Sequence, residues 1–89
     1  GAFGFIEANI SIKGNGDMVA VVNVIGISNI SWNQINNPST KKILKLNYEV
    51  INSSLVHLAT QLIYFWIDIP AGQIAENYKS NFTIQAQSV

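Results

Sequence analysis

The stretch from Leu62 to Gln87 constrains the fold more than any other part of the chain. Its second half alternates. Tyr78, Ser80, Phe82, Ile84 and Ala86 fall on one side, and Lys79, Asn81, Thr83, Gln85 and Gln87 on the other. Period two with one apolar side is the pattern of a half-buried strand. Before it, Leu62 to Ile69 is an apolar and aromatic run broken only by Asp68. That run predicts a strand buried on both faces. Pro70 and Gly72 separate the two strands, because proline cannot donate to a ladder and glycine takes backbone angles closed to other residues.

The rest of the chain carries the same period. Residues 1–13 read as a first strand, with Ile6, Ala8, Ile10 and Ile12 on one side and Glu7, Asn9, Ser11 and Lys13 on the other. Phe3 and Phe5 sit in the opposite phase, which predicts a kink near Gly4. Gly14-Asn15-Gly16-Asp17 predicts a tight hairpin turn. Met18 to Ile25 is nearly all apolar and β-branched, as a central strand would be. Ile27 to Trp32 reads as a further short strand, and residues 36–40 as a loop around Pro38. Lys42 to Ile51 alternates, with Leu44, Leu46, Tyr48 and Val50 expected inward. Asn52-Ser53-Ser54 predicts a turn, and Leu55 to Gln61 a strand of its own. No segment shows a helical period, and strands recur every 8–12 residues, the spacing of an all-β sandwich. The expected count is six or seven.

A tyrosine just past a Pro/Gly corner is recurrent in immunoglobulin-like sandwiches, where its hydroxyl pins the corner. Ile69-Pro70-Ala71-Gly72, then Tyr78, then Phe82-Thr83-Ile84 resembles the closing strands of small extracellular Ig-like modules of archaea and bacteria. The whole chain is short, free of cysteine, rich in glycosylation sequons and led by an apolar strand. In that profile it resembles subunits of archaeal extracellular filaments, the thread and bundling-pilus type. The resemblance implies an antiparallel Ig-like β-sandwich at 13–89 and an N-terminal donor strand at 1–12. It implies a homopolymer at the cell surface, joined by insertion of the donor strand into the next subunit. Phe3, Phe5, Ile6, Ala8, Ile10 and Ile12 would be the anchors. Strand arithmetic leaves two topologies open: strand 1 completes its own domain or a neighbour's. In the first case the chain would be a self-complete adhesion or carbohydrate-binding module.

Composition bounds the alternatives. A chain of 89 residues is one domain with a thin core, and without cysteine no disulfide can staple it. Association with copies of itself is the simplest further source of stability. Charged residues make up 11% of the chain, against about 25% in an average domain, and the formal net charge is zero. Such a surface argues against nucleic acid, which needs a basic patch, and favours association. Four N-glycosylation sequons begin at Asn9, Asn29, Asn52 and Asn81, and mark the protein as extracellular. No signal peptide and no apolar run of membrane-spanning length is present.

A catalytic set does not emerge. The single histidine, His57, lies in an apolar stretch and is read as structural. No His or Cys pair has transition-metal spacing. The acids Glu7, Asp17, Glu49, Asp68 and Glu76 are scattered singly, and no serine sits in a nucleophile elbow. The expectation is a protein that is no enzyme and takes no metal or cofactor. Trp32, Tyr64, Phe65 and Trp66 have the chemistry to stack on sugar rings, but in a thin β core they are expected to supply burial.

Overall fold

A computed structural model describes residues 7–89. The chain is all-β, with no α-helix among the described residues. Among the described residues the strands are β1 (Ala8–Gly14), β2 (Met18–Val19), β3 (Val24–Ile25), β4 (Ile30–Asn33), β5 (Lys42–Ile43), β6 (Glu49–Leu55), β7 (Tyr64–Ile67) and β8 (Phe82–Ser88). They form three antiparallel sheets, ordered β6-β1-β8, β5-β4-β7 and β2-β3. The first two share one core. Ile10 and Ile12 of β1 and Ile51 of β6 meet Ile30 and Trp32 of β4, with Met18, Ile25 and Leu44 filling the ends. Ile12 and Trp32 are fully buried.

The first strand is the centre of its sheet. Ala8 to Gly14 pairs residue by residue with Ser88 to Phe82 on one side, and with Leu55 to Glu49 on the other. Two register shifts against β6 let Ile51 turn into the core. Ala8, Ile10 and Ile12 therefore serve their own domain. From Ala8 on, the strand expected over 1–12 to be given to a neighbour is paired here within its own sheet. The expected kink near Gly4 and the anchors Phe3, Phe5 and Ile6 lie outside the described residues.

Several local expectations yield to long-range contacts. The Asn15-Gly16 turn is present, but it does not close a hairpin, because β1 pairs with β6 and β8 and not with β2. Asn15 is instead held by Thr83, whose Oγ1 accepts from its Nδ2 at 3.0 Å. Met18 to Ile25 is two short strands and not one, since the Ala20 amide donates to the Asn23 carbonyl at 2.9 Å and folds the run back on itself. The tip residue Val21 is 96% exposed. Glu76 holds this hairpin by accepting from the Asn23 backbone and side-chain amides.

The stretch 42–51 also divides. Leu44 is buried, but the chain bends before β6 and the phase switches. Leu46, Tyr48 and Val50, expected inward, are exposed. Lys13 sits over the Tyr48 ring at 5.0 Å, a cation–π contact on the outer side of the sheet. Asn52-Ser53-Ser54 lies inside β6 and is no turn. The turn falls later, at Val56–Ala59, where Leu58 is left-handed with φ 65°. Leu55 to Gln61 is accordingly not a separate strand.

Candidate subunit-contact site

The two larger sheets are closed on one side and open on the other. On the closed side the chain runs directly from β5 to β6. There the Gly14 amide donates to the Lys45 carbonyl at 2.7 Å, and Gln34 Nε2 to the Ile51 carbonyl at 3.0 Å. On the open side lie β7 and β8, each the edge of its sheet. No described strand pairs with their outer edges.

The register explains what the open side presents. Ile10 faces Ala86, Ile12 faces Ile84 and Gly14 faces Phe82, so β8 turns its apolar side toward the core layer. Across the gap, Phe65 lies opposite Trp32 and Ile67 opposite Ile30. The Phe65 and Phe82 rings meet at 4.8 Å between centroids. Phe65, Ile67, Phe82 and Ile84 remain about half exposed although they face inward. The expectation that Leu62 to Ile69 is buried on both faces is corrected: β7 is an edge strand, and Leu62 and Ile69 lie outside it and are exposed.

The gap is a cleft of about 490 Å³. Met18, Ile30 and Leu44 form its floor, Phe65, Ile67 and Phe82 its walls, and Lys79, Ser80 and Asn81 its polar lip. A second hollow of about 520 Å³ shares Met18, Ile67, Tyr78 and Lys79 with it and carries it on toward Ile25 and Ile69. Together they form one apolar trough. Along β1, the trough opens toward the Gly14 end, while Ala8 lies at the opposite end, beside Leu55 and Ser88.

The corner residues meet at the trough's far end. Pro70-Ala71-Gly72-Gln73 is a tight turn closed by the Gln73 amide on the Pro70 carbonyl at 3.2 Å, with Gly72 at φ 78°. A positive φ at the third position is the signature of a type II turn and selects glycine. The Tyr78 hydroxyl donates to the Ile74 carbonyl at 2.6 Å and accepts from Gln73 Nε2 at 2.8 Å. Lys79 and Val19 then exchange backbone hydrogen bonds at 2.9 Å, tying the β2–β3 hairpin to the lip.

The four sequon asparagines are dispersed. Asn9 lies on the outer side of β1, and its Oδ1 is buried with no partner. Asn29 Nδ2 donates to the Gly26 carbonyl at 3.2 Å, and Asn52 Nδ2 to Gln61 Oε1 at 3.0 Å. Asn81 is exposed, at the lip of the trough. His57 is exposed rather than buried in a strand. Among the described residues no three His, Cys, Asp or Glu side chains gather to hold a metal ion, and no helix is long and apolar enough to cross a membrane.

No family model, curated protein or solved structure matches this chain.

The trough itself was missed in the sequence because its walls come from residues 62–69 and 82–86, both read there as covered. Asp68 within the apolar run is the signal for an edge.

Proposed function

We propose that the protein is the structural subunit of an extracellular filament, and that its domain is an Ig-like sandwich lacking a strand. In this reading the missing strand comes from residues 1–6 of the next copy. Phe3, Phe5 and Ile6 would enter the trough between β7 and β8, with backbone pairing along one of the two free edges. This is strand addition to an open sheet edge. The donor is shorter than residues 1–12, because Ala8, Ile10 and Ile12 are committed to their own core.

The observation that carries the proposal is the inward-facing yet half-exposed row Phe65, Ile67, Phe82 and Ile84. Covering the exposed halves of four such side chains is worth about 4 kcal/mol. The overall dimensions lend support. The radius of gyration is 15.9 Å, where a compact chain of this length has about 12 Å. The accessible surface is 6113 Å², where about 5,200 Å² is usual for the mass. The excess is close to the roughly 800 Å² that one partner contributes to a standard interface. The trough lies at the Gly14 end of β1 while Ala8 begins the other end, and a head-to-tail contact between such ends would propagate into fibres. Glycans at the exposed Asn81 would decorate the lip.

The test is electron microscopy of purified protein with and without residues 1–6. The full chain is expected to form filaments and the truncated one only monomers with an intact β spectrum. Filaments formed by the truncated chain would overturn the donor assignment. A second variant, Ile67→Glu, places a charge in the trough and is expected to stop growth in the same way.

A further inference from the structure

The four aromatic residues singled out in the sequence divide between two faces. Trp32 and Phe65 turn inward, to the core and the trough. Tyr64 and Trp66 are expected core residues that the structure places elsewhere. Trp66 lies opposite Ser31, and Tyr64 opposite Asn33, on the outer side of the β5-β4-β7 sheet. Both are half-buried.

The outer side has the build of a shallow platform. Ser31 has Trp66 on one flank and Ile43 on the other, and is only 3% exposed. Two larger side chains thus shelter a small one, which leaves their outward surfaces as the floor. Tyr64 and Trp66 are two residues apart on one strand, so their attachment points stand about 6.8 Å apart along it. That distance is on the scale of neighbouring rings in a sugar chain. Asp68 stands two residues beyond Trp66, just past the end of β7, and its Oδ2 pairs with Lys41 Nζ at 2.8 Å, with both side chains partly exposed, offering donors and an acceptor together. Their charges cancel. Asn33 cannot join in, since its Nδ2 donates to the Thr40 carbonyl and its Oδ1 accepts from the Ile35 amide.

We infer that this platform binds a neutral carbohydrate chain. The apolar C–H face of one pyranose stacks on the Trp66 indole, the neighbouring ring reaches Tyr64, and hydroxyls bond to Lys41 and Asp68. Aromatic rings offer every ligand an apolar face, so the surrounding charge decides between ligand classes. A nucleic acid strand would need several cations for its phosphates. The platform offers one lysine already paired with a carboxylate. A membrane surface would need a broader apolar patch with a basic border. A neutral polyol is what an aromatic pair beside a self-compensated ion pair accommodates. The platform lies on the opposite side of β7 from the trough, so the inference stands apart from assembly.

The test uses indole N–H resonances, of which the chain has two. Trp32 is buried and serves as the internal reference. A β-1,4-linked glucose hexamer and an α-linked mannose hexamer are the probes, titrated into the full chain. The Trp66 signal is expected to shift saturably with at least one hexamer while the Trp32 signal stays. Trp66→Ala is expected to weaken binding at least about tenfold, as loss of one aromatic stacking partner does, and Trp66→Phe less. Tyr64→Phe keeps the ring and should retain most of the affinity. A Trp66 signal unmoved by either hexamer, or moved only by raising the protein concentration, overturns the inference. So does unchanged binding in a folded Trp66→Ala variant.

Discussion

Residue by residue, stability concentrates in very few side chains. Among the described residues eight hydrophobic side chains are buried, so each carries an unusual share of the core. Ile12→Ala should cost about 3–4 kcal/mol in denaturant unfolding, the range for large-to-small changes at a fully enclosed site. Gly14 is packed as tightly. A Cβ there would stand 2.5 Å from Ile27 Cδ1 and 3.0 Å from Leu44 Cγ. Gly14→Ala is therefore expected to lose about 1–3 kcal/mol, by overpacking. Leu58 offers the reverse. It is left-handed and almost wholly exposed, so Leu58→Asn should gain about 0.5 kcal/mol, read as a higher urea midpoint at unchanged slope. Tyr78→Phe removes both hydroxyl hydrogen bonds of the corner and is expected to cost about 1 kcal/mol, with little loss of apolar packing.

At the level of elements, the β2–β3 hairpin is held by a few specific contacts. Each of its strands has two residues, its tip points into solvent, and Glu76 is its polar clasp. Glu76→Ala should speed amide exchange across residues 18–25 well before it changes global unfolding, a local opening that exchange mass spectrometry resolves. This element also shows how far the sequence could be read. The alternation at Phe82–Ala86 announced a strand because period two is a local property. The corner at Pro70–Tyr78 was legible for the same reason, since turn residues act on their own backbone. What eluded the pattern was everything set at a distance. Val21 and Val22 look like core until Asn23 is seen clasped by Glu76, more than fifty positions away in the chain. Leu46, Tyr48 and Val50 have perfect inward spacing, yet a bend between β5 and β6 reverses their facing. The aromatic run 64–66 gave the trough and the platform together, and only the pairing of β7 with β4 tells which ring serves which side.

For the whole molecule, the unmatched side between β7 and β8 sets the behaviour. A chain with this much inward-facing apolar surface left open should be more stable in company than alone. Its unfolding midpoint is expected to rise with protein concentration, and to lose that dependence in Ile67→Glu. The asymmetry of the opening has a further result. Under the proposed assembly each copy would contribute one slot and one leader, so any chain of copies would be polar, with a vacant slot at one tip and an unused leader at the other. A copy shorn of its leader could enter no slot, but its own slot could take the unused leader, and so it would terminate growth at that tip alone. Small doses of such a copy should shorten filaments in proportion to their share of the mixture.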